Sequence, residues 1–216
     1  MTTFANALGS AAVIVTVGAV VVLWRHRLRS IVAALAVQGV ALAATAALLG
    51  VHEHDRGLLV VAGLVLLVKA VVIPGLLARV VAATPGARES DPLVNVPASL
   101  VVAGLLTLGA FVAARPIVAL VGGPTGKLVP LGLATVLIGF FAMVARRRAM
   151  SQVVGLLLVD NGIALVAFLV TSGVPVIVEF GSTLDVLFGV VVLRVLLARL
   201  SAAGFSDLDQ LRSLHD

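Results

Sequence analysis

The chain has 216 residues, of which 61% are apolar and 12% charged, against roughly 45–50% and about 25% in a soluble domain. With a mean hydropathy of +1.23, this composition excludes a water-soluble globular enzyme and points to a polytopic membrane protein. The lack of cysteine excludes thiol catalysis, disulfides and cysteine-ligated iron–sulfur clusters. The net charge of +5 has first to be sorted among the loops, because basic loops set membrane topology.

Charges, Gly and Pro divide the chain into seven apolar segments, at 4–24, 30–51, 57–81, 97–114, 127–145, 150–172 and 174–199. Each is long enough to cross about 30 Å of hydrocarbon as a helix. An uninterrupted apolar run satisfies its own backbone in lipid only as a helix, and the alternation of a barrel strand is missing. The expected fold is therefore all-α. No Lys or Arg precedes Arg25, so the first segment lacks the charged start of a secretory signal and is expected to remain as helix 1.

Seven helices sort the basic residues between two faces. One receives Arg25, Arg27, Arg29, Arg79, Arg88, Arg146, Arg147, Arg148, Arg199 and Arg212; the other receives Arg56, Arg115 and Lys127. The positive-inside rule then predicts an outer N-terminus and a cytoplasmic C-terminus in the cytoplasmic (inner) membrane.

Helix 2 carries Gln38, expected to hydrogen-bond to a neighbouring helix. His52-Glu53-His54-Asp55 reads as a solvated turn rather than a metal site, since alternate residues do not form a helical i, i+4 ligand pair. Helix 3 carries Lys69 five residues ahead of Pro74, which is expected to kink it. Gly122 to Lys127 departs from a phosphate loop, with Val121 at the first glycine position and Leu128 after the lysine. Helix 6 carries Asp160 and Asn161. Helix 7 carries Asp185 with Gly181, Ser182 and Gly189 on its face, and Arg194 is close enough to its end to snorkel. The polar tail 200–216 is either a short amphipathic helix or a frayed end.

Helices 1 to 3 resemble helices 5 to 7 in sequence. Gly39 to Ala44 matches Gly162 to Ala167 at an offset of 123, and Leu76 to Arg79 matches Leu196 to Arg199 at an offset of 120. The expected organisation is one membrane domain of two three-helix units, 1–81 and 127–199, joined by helix 4 (97–114), which restores the same orientation to the second unit.

Lys69, Asp160 and Asp185 each lie roughly 15–18 Å from a helix end, close to the bilayer midplane. A charge at that depth costs several kcal/mol and marks a functional candidate. Burial disfavours ionisation and an opposite charge restores it, so a group balanced between the two can take up and release protons. The candidate proton-handling residues are Asp160, Asp185 and Lys69, with Asn161 and Gln38 as supporting polar groups. A locked ion pair that only holds helices together is the structural alternative. No metal, cofactor-binding or catalytic residue is expected.

The stretch Arg147 to Gly155, running to Asp160-Asn161-Gly162, then Thr183 to Phe188 and the Leu196-Leu197-Ala198-Arg199 ending, resembles the hydrogenase 4 membrane component E family. The likeness covers nearly the whole chain, including Lys69 ahead of Pro74. The last three helices also resemble subunit K of the respiratory NADH–quinone oxidoreductase and the equivalent small subunit of multisubunit antiporters. There two embedded glutamates form part of a proton path. Asp185 matches the second, whereas the first falls on Leu157, with Asp160 three residues later and about 4.5 Å along the axis. The resemblance implies a non-catalytic subunit of a group 4 hydrogenase or formate hydrogenlyase-like, complex I-related assembly. Its partners would be antiporter-like subunits and a subunit-H-like membrane protein, with a hydrogenase-like arm reached indirectly. A purely structural linker and a free-standing ion or small-solute transporter are the alternative readings.

Overall fold

The computed structural model describes residues 2–25, 27–83, 95–145 and 149–171. Among these residues every regular element is helical. Six helices are long and apolar enough to cross a membrane: Thr3–Trp24, Leu28–His52, Arg56–Arg79, Val96–Ala113, Gly123–Val144 and Gln152–Val170. They coincide with the first six expected segments, and the protein is membrane-embedded and all-α. The seventh expected segment, 174–199, with Asp185 and Arg194, lies outside the described residues, as do Arg88, Arg146 to Arg148 and the tail 200–216.

The elements are α1 (Thr2–Trp24), α2 (Leu28–His52), α3 (Arg56–Val65), a π-helical segment (Leu66–Val72), α4 (Ile73–Ala83), α5 (Val96–Ala113), α6 (Arg115–Val121), α7 (Gly123–Gly126), α8 (Val129–Val144) and α9 (Ala149–Val170). Two turns are more ordered than the sequence predicts. Between α2 and α3, His52 ends the helix with its ring stacked on Phe4, centroids 4.1 Å apart. Asp55 caps α3, its carboxylate accepting from Gly57 N at 2.8 Å and Leu58 N at 3.3 Å, as a good N-cap does. The expected loop between helices 4 and 5 contains α6 and α7 instead. Pro116 lies in the first turn of α6, where no N–H is needed, and Gly122 and Gly123, at φ of 65° and 63°, supply the left-handed break that ends it.

The span Arg56–Arg79 departs from α-helical winding before Pro74. The Ile73 N–H donates to Val68 O, five residues back, and the next donor in that register would be Pro74, which has none. The chain thus accommodates the proline through a wider turn that contains Lys69, where the sequence predicts only a kink.

Hairpins α1–α2 and α8–α9 pack against each other; the Arg56–Arg79 span lies against α2, and α5 lies against α8 and α1. The α8–α9 seam is set by four glycines. A Cβ on Gly139 would meet Val159 N at 2.7 Å, and one on Gly162 would meet Val136 N at 2.6 Å, with Gly132 and Gly155 equally crowded. Small residues let membrane helices approach to backbone contact, where dispersion replaces the hydrophobic drive that lipid removes.

The buried apolar side chains form two clusters rather than one. The first includes Leu8, Leu42, Leu49, Val65 and Leu165. The second includes Leu23, Leu35, Ile73, Leu77 and Leu158. Passing from one to the other, α2 crosses Gln38, the Arg56–Arg79 span crosses Lys69, and α9 crosses Asp160 and Asn161.

Candidate functional site

A buried polar layer therefore separates two apolar cores. Lys69 Nζ donates to Asp160 Oδ2 at 2.6 Å and to Asn161 Oδ1 at 3.2 Å. Asn161 Nδ2 donates to Gln38 Oε1 at 3.2 Å, and Gln38 Nε2 donates to Val15 O at 2.6 Å. The row runs from the π-helical segment through α9 and α2 to α1, tying four elements together. All four side chains are buried, and Gln38 is wholly so.

Each element contributes through its local geometry. Asp160 and Asn161 are consecutive on α9, about 100° apart, and both converge on one ammonium, so the lysine fixes the rotation of α9. The π-helical turn offsets Lys69 from the position that regular α winding would give it; such turns recur at functional sites. Gly39 permits α2 to lie against that turn, since a Cβ there would stand 2.6 Å from the carbonyl carbon and oxygen of Lys69. Gly18 makes room for Gln38, whose Cγ lies 2.6 Å from where a Cβ would be.

The direction of the hydrogen bonds limits the chemistry. Two primary amides in series hold their orientation through both an acceptor and a donor. An amide has no proton to give up at ordinary cost, so the Asn161–Gln38 arm orients the lysine and cannot conduct. Titratable chemistry is confined to the Lys69–Asp160 end. Above and below it, Val65 and Leu42 of one cluster and Ile73 and Leu158 of the other are buried.

A second polar contact joins α1 to α8. The Thr135 hydroxyl lies 3.3 Å from that of Thr16, and Thr16 Oγ1 donates to Leu131 O at 3.1 Å, with Ala12 O as its intrahelical alternative. Thr16 and Thr135 are 119 residues apart and Gln38 and Asn161 are 123 apart, the second being the offset of the Gly39 and Gly162 motifs in the sequence.

Of the predicted site residues, Lys69, Asp160, Asn161 and Gln38 meet in one network; Asp185 lies outside the described residues. No cluster of three or more His, Asp or Glu capable of holding a metal occurs among the described residues. Val15 and Gly18, apolar and therefore silent in the sequence, are part of the site because one offers a carbonyl and the other offers space.

Removing Gln38 tests the orienting arm. Gln38→Leu leaves the buried Asn161 amide without its acceptor, and a loss of about 1–3 kcal/mol of folding stability is expected. Thermal unfolding in detergent against the wild type measures it.

Compared with known proteins, the chain is 50% identical over 199 residues to the uncharacterized protein Rv0085 of Mycobacterium tuberculosis, an alignment covering 91% of this chain and 90% of that protein. No family model matches the chain, and no solved structure matches it.

Proposed function

The chain belongs to the same family as that mycobacterial protein, and for this membrane-embedded member we propose a role as a non-catalytic subunit of a group 4 hydrogenase-like or formate hydrogenlyase-like complex. In this reading it contributes to proton translocation or couples it to redox chemistry. It sits in the cytoplasmic membrane with the N-terminus outside, between antiporter-like subunits and a subunit-H-like protein, as two three-helix units joined by α5. The resemblance to the component E family supplies the setting. The observation that carries a charge-handling role is the buried Lys69–Asp160 pair, held at mid-span by Asn161.

In the proposed mechanism Asp160 and Asp185 exchange protons, and Lys69 biases which of them is ionised. When a neighbouring subunit changes charge state, the lysine's attraction to Asp160 weakens or strengthens, and the change is felt along the row through Asn161.

A structural linker is the second reading, and the direct contact of the two charges between two apolar clusters favours it. One experiment separates the two. Asp185→Asn is introduced into the assembled complex, with subunit stoichiometry and proton translocation per redox turnover both measured. The relay expects normal assembly with translocation lost; normal assembly with unaltered translocation dismisses it and leaves the linker.

A further inference from the structure

The outer face of the α1–α2 hairpin carries a groove of about 610 Å³, lined among others by Ile14, Val17 and Gly18 of α1 and Ala33, Ala34 and Val37 of α2. This face has a counterpart in the second hairpin. At an offset of 121, the separation of Gly18 from Gly139, the same positions are Thr135, Ile138 and Gly139 of α8 and Val154, Gly155 and Leu158 of α9. The register runs across the hairpin turn without a gap: Val15, Gly18, Arg25, Arg27, Ser30 and Leu35 recur as Val136, Gly139, Arg146, Arg148, Ser151 and Leu156. It is also the register of the packing, since a Cβ on Gly18 would meet the Gln38 side chain and one on Gly139 would meet Val159.

The two equivalent faces differ in what covers them. In the second hairpin Thr135, Ile138, Val154 and Leu158 are all buried, because the far side of the first hairpin packs there. Thr16 reaches Thr135 and Leu131 O, and Ala19 and Leu23 share one cluster with Ile138, Val154 and Leu158. In the first hairpin the same face is open, with Val17 52% and Val37 54% exposed. The side of α8 that corresponds to Thr16, Ala19 and Leu23 carries Leu137, Phe140 and Val144, and the last two are 52% and 77% exposed. The chain therefore joins one front to one back in its interior and leaves one of each on its surface.

We propose that the open front, the α1–α2 groove, receives the open back, on α8, of a second copy of this chain, so that copies stack head to tail in the membrane as α1–α2 stacks on α8–α9 within one. Repeats that bury their faces against their own kind stack in this way, and a contact between two different faces leaves the series open. α1 and α8 belong to the first and fifth of the described spans and so run in the same direction, which gives stacked copies one common orientation in the bilayer. Gly18, Ala33 and Ala34 let a helix approach closely. Phe140, where α1 has Ala19, brings the bulk that a groove of this size takes up.

The test uses the full chain in membranes, where the lack of native cysteine lets single cysteines report contacts without background. The internal contact of Thr16 with Thr135, carried over at the same offset, puts Leu137 of one copy beside Ile14 of the next. Within one chain these two face apart, each lying two residues, about 200° of helix, from the threonine pair. Differently tagged Ile14→Cys and Leu137→Cys chains, co-expressed and oxidised, should give a disulfide dimer bearing both tags, and neither variant alone should. Thr16→Cys/Thr135→Cys, closing within one chain, is the control for oxidation at this depth. Val17→Trp should fill the groove and abolish the mixed dimer, while Val101→Trp, on the exposed face of α5, should leave it unchanged. Subunit counting in proteoliposomes should find two or more copies of the wild type per particle and one of Val17→Trp. A wild type that is monomeric would overturn the proposal and leave the face to lipid or to a different subunit. So would a control that closes while the mixed dimer is absent, or a dimer formed by Ile14→Cys alone, which would show two fronts in contact.

Discussion

Lys69→Met is expected to destabilise the folded chain by about 3–5 kcal/mol, because it takes from the buried Asp160 the ammonium 2.6 Å away. Both side chains are enclosed, 4% and 10% exposed, so the value of roughly 0–1 kcal/mol typical of surface pairs does not apply. Asp160→Leu is expected to cost a similar amount for the opposite reason, a buried ammonium deprived of the carboxylate 2.6 Å away. The double variant Lys69→Met/Asp160→Leu removes both charges in similar volume and should recover most of the loss, since a buried pair and its apolar replacement are often near parity. Unfolding titrations of the four proteins close the cycle. A coupling energy below about 1 kcal/mol would mean that water reaches the pair and that the layer is not closed. The double variant has a further use: if it folds and assembles, a complex that still pumps makes the pair a structural lock, and one that assembles without pumping makes it part of the coupling path.

The closure of the layer also constrains any proton route. Lys69 and Asp160 are bounded along the membrane normal by buried apolar side chains of both clusters, and sideways by an amide arm that orients without conducting. Along the membrane normal, a proton reaching Asp160 must therefore wait for a separation of helices that admits water.

Much of this arrangement is legible in the sequence, for a simple reason. Length and apolarity report a span directly, and a charge inside one is conspicuous, so the six described spans and the depth of Lys69 and Asp160 follow from counting. What counting does not give is helix rotation. In lipid both the buried and the exposed faces of a helix are apolar, so the amphipathic signal that orients helices in soluble proteins is absent. The partner of Lys69, the part played by Gln38 and the split into two cores therefore become visible only in three dimensions. Pro74 marks a disturbance of the helix, but the π-helical form of that disturbance and its position around Lys69 are visible only in the structure. Asp55 follows two histidines in the sequence, and its position just ahead of a new apolar run is the signal for the cap it forms.

The reception of that turn by α2 yields the second large effect. Gly39→Leu is expected to destabilise the chain at or above the upper end of the roughly 1–3 kcal/mol typical of overpacking. The atoms in its way are the backbone carbonyl of Lys69 at 2.6 Å and Ala70 N at 2.7 Å, and backbone in a packed helix cannot swing aside as a long side chain can. α2 and the Arg56–Arg79 span must separate, and the shift falls on the residue whose ammonium holds Asp160. The lesion should therefore be coupled to the ion pair: in the background of Lys69→Met/Asp160→Leu, the same substitution should cost measurably less, because no buried charges are pulled apart. Gly104→Leu is the control, since a Cβ there meets nothing within 4 Å; it should be neutral or slightly stabilising through helix propensity. If Gly39→Leu costs the same in both backgrounds, the close approach of α2 serves packing alone and the position of Lys69 is fixed by other contacts.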